Sequence, residues 1–243
     1  MQIGIIGRGT IGGALAQGLT RHERVTIVDT TTRATSSRNS ALARACDVIV
    51  LCVKPRDIEP VVRDIAPMLR GEQVLISVAA SIGTTQLRDW SDDRVRIVRA
   101  MPNTPARVGS GMTVLAREQR TCNEALELAR SLFATFGRTA ILDEARMDAV
   151  TAISGCGPAY AFLVIEALID AAIALGIGYE DARNLVAQTM LGSAQLVLET
   201  GAHPGALRHE VSTPGGRTIK GLIELERGAA RASLINAALA AAG

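Results

Sequence analysis

Two glycine-rich segments, one near each end of the chain, could hold negatively charged ligands. The first segment, Gly7-Arg8-Gly9-Thr10-Ile11-Gly12, follows a short apolar run and precedes an apolar pattern of helical spacing. In a G-x-G-x-x-G turn the first glycine makes the tight turn, the second lets a pyrophosphate approach, and the third lets the helix pack on the strand. Because the motif lies between a strand and a helix, we predict a dinucleotide site formed by Gly7, Arg8, Gly9, Thr10, Ile11 and Gly12.

The second segment is a small-residue loop, Val211-Ser212-Thr213-Pro214-Gly215-Gly216-Arg217-Thr218, ahead of a helical apolar pattern that starts at Ile219. Pro214 removes a backbone donor, and the two glycines permit backbone angles that other residues avoid. A helix that begins here would direct free N–H groups and its positive dipole end at the loop. We therefore predict an anion site of carboxylate size, with added hydroxyl groups from Thr213 and Thr218. An ordinary capped turn is the alternative.

An acidic residue at the end of the second apolar run bears on the choice of cofactor. Asp29 follows the run Arg24–Val28 and lies about 20 residues beyond the glycines, where a carboxylate can hold a ribose 2′-OH. A carboxylate repels a 2′-phosphate, which favours NADH. Thr30, Thr31, Thr32 and Arg33 come next, however, and hydroxyls with a guanidinium suit the phosphate of NADPH. We expect NADH or NADPH, with Asp29 favouring NADH slightly.

Alternating strand and helix patterns must position these segments. The predicted strands cover residues 2–6, 24–28, 46–53, 73–78, 95–100, 111–115 and 139–142. Their alternation with helical patterns predicts an α/β fold with a Rossmann-type, doubly wound parallel sheet. The stretch between Asp29 and Cys46 is too short for a helix and a further strand, so the first half of the sheet is abbreviated. We assign residues 1–146 to a dinucleotide-binding domain.

Strand patterns end before Arg146, and the remaining chain is all-helical. The predicted helices cover residues 148–153, 158–175, 179–199, 203–210 and 218–241. They are rich in Ala, Leu and Ile, and one chain holds too few helices to cover all their apolar faces. We therefore predict that residues 147–243 form an all-helical substrate-binding and dimerisation domain, which builds a homodimer or a higher assembly of dimers.

Charge and cysteine usage exclude several kinds of partner. The 26 Lys and Arg nearly balance the 24 Asp and Glu, without a basic block or an aromatic-rich patch, so we expect no nucleic acid. The four cysteines, Cys46, Cys52, Cys122 and Cys156, lack metal-ligand spacing. We expect no metal, and reduced thiols in a cytoplasmic protein.

Two further patterns bear on targeting and membranes. A strand begins by residue 3, so we expect no signal peptide. The apolar stretch 159–178 contains Glu166 and Asp170, so we expect a buried bundle helix rather than a membrane span.

Six stretches of the sequence resemble the pyrroline-5-carboxylate reductase family, whose enzymes complete proline biosynthesis. They are Val53–Pro55 (VKP), Arg99–Pro105 (RAMPNTP), Asp148–Tyr160 (DAVTAISGCGPAY), Gln188–Gly192 (QTMLG), Glu199–Pro204 (ETGAHP) and Ser212–Thr218 (STPGGRT). The pair S-G-x-G-P-A-Y and [ST]-P-G-G-x-T is specific to the family. The resemblance extends from Ile3 to about Asn236.

The resemblance implies an NAD(P)H-dependent reduction of the cyclic imine 1-pyrroline-5-carboxylate to L-proline by hydride transfer to the imine carbon. It implies substrate contacts from Glu144, Arg217 and Thr218, with Thr218 as the catalytic residue that hydrogen-bonds the ring nitrogen. The Gly215-Gly216 backbone would hold the carboxylate, beside Thr213. The resemblance implies further cofactor contacts from Asn39, Val53, Lys54, Ala80, Met101, Pro102 and Asn103.

Departures from the family pattern leave other functions open. Cys156 replaces the usual serine of S-G-S-G-P, and Arg217 replaces a small residue in P-G-G-[AT]-T. A reductase of a related cyclic imine acid, such as a piperideine carboxylate or a tailoring-pathway imine, is one alternative. A non-catalytic cofactor-binding protein is another, against which the intact glycines, Glu144 and Thr218 argue. A β-hydroxyacid dehydrogenase would need a lysine in a long helix, whereas Lys220 follows the loop.

Overall fold

Two compact units make up the chain in a computed structural model, which describes residues 1–19 and 37–243 and, between them, the backbone of 26–30. The sheet unit is Met1–Cys156 with Ala242–Gly243, and the helical unit is Gly157–Ala241. The division falls later than the expected 146/147 because Met147 and Val150 pack with Val114 and Ala116 of the sheet.

One sheet lies at the centre of the sheet unit. Its described strands are β1 (Gln2–Ile6), β2 (Thr26–Thr30), β3 (Val48–Leu51), β4 (Val74–Ser77), β5 (Arg96–Met101), β6 (Gly111–Arg117) and β7 (Gly137–Asp143). They pair in the order β2-β1-β3-β4-β5-β6-β7. Because β3 pairs directly with β1 and β2 lies at the edge, the abbreviated first half is confirmed.

The expectation of an all-parallel sheet is wrong at one pairing. β6 runs antiparallel to β5, whereas the other neighbouring strands are parallel. The cause is the length of the connection. Residues 102–110 join the two strands, and a parallel crossover needs about a dozen residues or more.

Helices cover both faces of the sheet. They are α1 (Thr10–Leu19), α2 (Ser37–Ala45), α3 (Pro55–Ile65), α4 (Thr84–Trp90), α5 (Asn123–Phe133) and α6 (Met147–Val150). Residues from α1 and α5 share one core cluster with Ile3 and Ile5, while residues from α2, α3 and α4 share another with Ile6. The alternation along β1 sends successive side chains to opposite faces, which explains why the run is apolar throughout.

The helical unit comprises α7 (Gly157–Ala174), α8 (Tyr179–Thr200), α9 (Pro204–Glu210), α10 (Arg217–Arg227) and α11 (Ala230–Ala241). The single helix expected over 218–241 is thus broken. The break lies at Gly228-Ala229, where Ala229 has a φ of 53°, a left-handed conformation that cannot continue an α-helix.

The apolar helices of the helical unit stay largely uncovered within one chain. In this unit, which is described throughout, Ile169 and Ala182 are the only buried residues. Phe162 and Leu163 on α7 are 61% and 65% exposed. The expected burial of the 159–178 stretch is therefore wrong for a single chain, which has too few helices to surround it.

By length and composition, one helical stretch of the described chain, Glu144–Ala174, could cross a membrane. Only 11% of its most apolar window is buried in the chain. A core helix of a soluble protein meets the same criteria of length and composition, so these criteria do not distinguish the two.

Candidate active site

The carboxyl ends of the parallel strands bring most of the predicted cofactor residues to one edge of the sheet. Ile6 at the end of β1 lies opposite Leu51 at the end of β3, and Leu51 lies opposite Ser77 at the end of β4. The ladder continues beyond these ends, because Cys52 N donates to Ile6 O at 2.7 Å and Val78 N to Leu51 O at 3.1 Å. The segments that follow these ends, and the end of β5, hold Gly7–Gly12, Val53, Lys54, Ala80, Met101, Pro102 and Asn103. Ligands of open α/β sheets bind in the crevice at this edge.

The three motif glycines meet three different physical demands. Gly7 has a φ of 101°, and a Cβ there would lie 2.7 Å from the carbonyl carbon of Cys52. A Cβ on Gly12 would lie 2.0 Å from Gly7 O, so only glycine lets α1 approach the turn. A Cβ on Gly9, in contrast, would meet nothing within 4 Å. The space at Gly9 is thus open in front of the first N–H groups of α1, where a pyrophosphate would fit.

Three other predicted cofactor residues occupy different surroundings. Asp29 pairs with Ile5 through the β2 backbone, but its side chain lies outside the described residues, as do residues 31–36. Asn39 is fully buried in α2. Lys54 is exposed at the N-terminal end of α3, directly after the end of β3.

Glu144, expected to contact the substrate, is held by groups of the sheet unit. Its Oε1 accepts from Thr84 N at 2.7 Å and from Arg99 Nη1 at 3.4 Å, while Oε2 accepts from the Thr84 hydroxyl. Thr84 is 1% exposed, and the Arg99 side chain is 7% exposed. Both carboxylate oxygens are therefore engaged. The substrate contact stays a prediction.

The end of β5 is tied to the S-G-C-G motif. Asn103 Nδ2 donates to Ser154 O at 3.1 Å, and Asn103 Oδ1 accepts from Met112 N at 2.9 Å. Ser154 belongs to a π-helical turn, Thr151–Gly155, which closes with a Cys156 N to Thr151 O bond of 2.8 Å. Local π-helical turns occur often at functional sites. The side chain of Asn103 thus orders the turn on which Cys156 replaces serine.

In the helical unit, the predicted anion loop precedes α10, as the sequence indicates. Gly215 has a φ of 69° and so requires glycine. Gly216 has an ordinary φ of −70°, but a Cβ there would lie 2.3 Å from Thr213 Oγ1. Thr213, Arg217 and Thr218 are exposed around the start of the helix. The free N–H groups of the first turn of α10 therefore face the loop, next to the hydroxyls.

Ion pairs hold the helices around the loop. Glu226 on α10 pairs with Arg208 on α9 and with Arg231 on α11. The hydrogen bond from Arg231 lowers the pKa of Glu226 below its usual value, with the charges of Arg231 and Arg208 acting in the same direction. A cleft of about 560 Å³ lies between α9 and α10, with Ile219, Leu222 and Ile223 among its lining residues.

Two cysteines lie beside the sheet edge and the α2 region: Cys52 is half-buried and Cys46 is buried. Burial raises the pKa of Cys52 from 9.0 to about 12. Burial, with a smaller effect of the Asp47 charge, raises the pKa of Cys46 to about 11. Both thiols are therefore neutral near pH 7. The described residues contain no group of three or more His, Cys, Asp or Glu side chains placed to hold a metal ion.

Comparisons with known proteins cover both units. Residues 144–243 match the family model described as pyrroline-5-carboxylate reductase dimerisation, and residues 2–81 match one described as NADP oxidoreductase, coenzyme F420-dependent. The pyrroline-5-carboxylate reductase of Arabidopsis thaliana is 42% identical over 85% of this chain and 74% of its own length. That of Methanosarcina acetivorans is 35% identical over 99% of this chain and 95% of its own length.

The chain belongs to the pyrroline-5-carboxylate reductase family.

A solved reductase of this family agrees with the fold. The Plasmodium falciparum pyrroline carboxylate reductase with NADP bound has a TM-score of 0.89 at 34% identity, over all of this chain and 95% of its own. The family resemblance expected from the motifs is thus confirmed, as are the Rossmann-type sheet and the helical part that follows it.

Arg99 and Thr84 are the site-edge residues that the sequence interpretation missed. The available signal was Arg99 itself, a charged residue inside the apolar run 95–100. A buried strand tolerates an arginine only when a partner neutralises its charge. Thr84 gave no such signal, since a threonine at a helix start is common.

Proposed function

We propose that this chain reduces 1-pyrroline-5-carboxylate to L-proline with a nicotinamide cofactor, the last step of proline biosynthesis. One observation supports this most strongly. The glycine turn with open space at Gly9 and the glycine loop before α10 occur in one chain that matches reductases across both units. The first suits a dinucleotide, and the second suits a small carboxylic acid.

The sheet unit would bind and orient the cofactor. The backbone of Gly7–Gly12 and the start of α1 would hold the pyrophosphate, since free helix N–H groups favour an anion. Val53, Lys54, Ala80 and Met101–Asn103 follow neighbouring strand ends at the same edge. Bound there, a nicotinamide cofactor supplies the hydride.

The helical unit would bind the acid and orient its ring. The reduction adds a hydride to the imine carbon and a proton to the ring nitrogen, so the C=N bond becomes CH–NH. The backbone N–H groups at Gly215 and Arg217 would hold the carboxylate, with the Gly216 N–H donating to Thr213 O at 3.0 Å and fixing the loop, and Thr218 Oγ would hydrogen-bond the nitrogen. A pyrroline nitrogen is basic enough to gain its proton near neutral pH. The residues therefore act mainly by positioning, which can lower a barrier by roughly 7–11 kcal/mol.

Cofactor preference depends on the adenosine end of the site. Asp29 favours NADH, because its carboxylate would repel a 2′-phosphate. The solved Plasmodium relative has NADP bound, which supports the alternative. Asp29→Ser separates the two, because the change should raise the ratio of NADPH to NADH activity.

The helical unit would form the interface of a homodimer or a larger assembly of dimers in the cytoplasm. The apolar side chains of α7 and α8 are exposed in one chain, with Phe162, Leu163 and Leu191 more than half exposed. The match to a dimerisation family model over 144–243 supports a second copy as the cover. Monomers rarely expose apolar patches of this extent.

The test is oxidation of NADH, and separately NADPH, with pyrroline-5-carboxylate and with piperideine-6-carboxylate. Rapid turnover of the five-membered ring supports the proposal, and the cofactor ratio reports the influence of Asp29. Preference for the six-membered ring would favour the related-imine alternative, to which the Cys156 and Arg217 departures point. Cofactor binding without turnover of either ring would favour a non-catalytic binding protein.

A further inference from the structure

A loop at the cofactor edge is clamped at both ends. The β4–α4 loop, Val78–Gly83, joins the end of β4 to the start of α4 and contains Ala80. Its first residue, Val78, donates its N–H to Leu51 O at 3.1 Å and so joins the end of β3. Thr84, directly after its last residue, donates its N–H and its hydroxyl to Glu144. The loop therefore has one anchor on the strands and one on the Glu144 carboxylate.

The loop holds a backbone conformation that needs such anchors. Ser81 has a φ of 63°, in the left-handed region that residues other than glycine rarely adopt. Residues in this region persist when the surrounding structure determines them, and they cluster at functional sites. Ser81 directly follows Ala80 at the edge where the parallel strands end.

The Glu144 carboxylate is paired with a buried arginine. The Arg99 guanidinium, 7% exposed, lies against Glu144 Oε1, and Glu144 is 20% exposed. Asp148, the other carboxylate near Arg99, is 75% exposed at 4.0 Å. Loss of Glu144 would leave Arg99 buried without its close partner and would free two donors of Thr84, which favours a shift of the start of α4.

We propose that Glu144 is a positioning residue for the cofactor: its carboxylate, held by Arg99, fixes the start of α4 and thereby the shape of the β4–α4 loop. The inference rests on the proposed function only in that a nicotinamide cofactor binds at this edge. It differs from the expected role of Glu144, which was direct contact with the substrate.

The test compares Glu144→Ala, Glu144→Gln and the matched control Asp148→Asn. NADH and NADPH are each titrated into the full-length protein, and binding is read from energy transfer between Trp90 and the bound cofactor. Trp90 is the one tryptophan of the chain and ends α4, so its emission also reports the position of that helix. Steady-state KM values for cofactor and for pyrroline-5-carboxylate complete the comparison.

Glu144→Ala should weaken cofactor binding about 10-fold in the absence of the imine acid, and should raise the KM for the cofactor more than the KM for the imine acid. Glu144→Gln should recover part of this loss, because its amide oxygen can still accept from Thr84 N, while Asp148→Asn should match the parent. If Glu144→Ala does not fold, the Glu144→Gln titration decides alone. A raised KM for the imine acid with normal cofactor binding would overturn the proposal, as would a lowered Tm with normal cofactor binding. Absence of turnover in the parent would contradict the proposed reaction and leave this titration valid.

Discussion

The sheet unit covers its apolar side chains within one chain, whereas the helical unit leaves most of its own exposed. Every described strand from β3 to β5 contributes buried residues to clusters that α1 to α5 cover. In the helical unit, which the structure describes throughout, only Ile169 and Ala182 are buried. From this difference we expect the sheet unit to be complete in a single chain and the apolar helices of the helical unit to be covered by a second copy.

The largest expected effect concerns the uncovered helices. Phe162→Glu places a charge on the exposed face of α7 and should weaken self-association by at least about 100-fold, because an interface would lose a buried aromatic ring and gain a buried charge. Sedimentation velocity over a dilution series measures the change.

A charge change on a polar part of α8 provides the control. Arg183→Gln removes an exposed ion pair with Glu180 and should change association by less than about 1 kcal/mol. Unaltered association of Phe162→Glu would mean that α7 is not covered by a second copy.

A substitution in the glycine turn can test cofactor binding by the sheet unit without disturbing the fold. Gly9→Ala adds a methyl group in open space, so Tm should stay within a few degrees while cofactor affinity falls about 10-fold or more, because the pyrophosphate needs that space. Calorimetric titration with each cofactor and thermal unfolding give the two quantities.

Substitutions at two neighbouring glycines serve as controls for Gly9→Ala. Gly13→Ala also meets open space, but within α1, and should stabilise the protein by up to about 1 kcal/mol with normal cofactor binding. Gly12→Ala should lower Tm, because its Cβ would lie 2.0 Å from Gly7 O. Normal cofactor affinity in Gly9→Ala would argue against a pyrophosphate at this turn.

The loop before α10 tests whether the chemistry depends on the helical unit. Thr218→Ala should lower kcat/KM roughly 10-fold or more, since one hydrogen bond to a charged group contributes about 1.5–3 kcal/mol. Cofactor affinity should not change, because the residues proposed to bind the cofactor lie in the sheet unit. Wild-type kinetics in Thr218→Ala would remove its hydroxyl from the mechanism.

The smallest expected effect, when pH 8.5 and pH 10 are compared, is a pH dependence of the stability of the sheet unit. Burial raises the pKa of Cys52 to about 12, so above pH 9 the unfolded chain releases a proton that the folded chain retains. Stability should therefore fall as pH rises from 9 towards 12, by up to about 1.4 kcal/mol per pH unit for this thiol.

Urea unfolding of the parent and of Cys52→Ala at pH 8.5 and pH 10 measures this slope. The variant should show a flatter loss of stability, with Cys46 responsible for part of what remains, because its pKa is also raised, to about 11. Equal slopes in the two proteins would show that Cys52 does not contribute.

Local patterns predicted most of the fold. The apolar runs and the G-x-G-x-x-G turn predicted the parallel strands up to β5 and the abbreviated first half of the sheet. The antiparallel pairing of β6 was missed, although the predicted strands 95–100 and 111–115 already leave a connection shorter than a parallel crossover needs. The break at Gly228-Ala229 was also missed, because alanine is a strong helix former that rarely adopts a positive φ, although Gly228 is a local signal for a helix end.

The candidate site was less predictable where long-range contacts decide it. Glu144 lies 60 residues from Thr84 along the chain, so no local pattern could indicate their hydrogen bonds. The Asn103 bond to Ser154, across 51 residues, is hidden for the same reason. The glycine loops were found because their demands on φ and space are local.

The most direct test of the division between a complete cofactor unit and an incomplete helical unit is active-enzyme sedimentation. The protein sediments through pyrroline-5-carboxylate with NADH or NADPH, and cofactor oxidation is followed along the cell. The account predicts that turnover travels with a species of at least twice the 25.5 kDa of one chain. Turnover by a species of single-chain mass would contradict it.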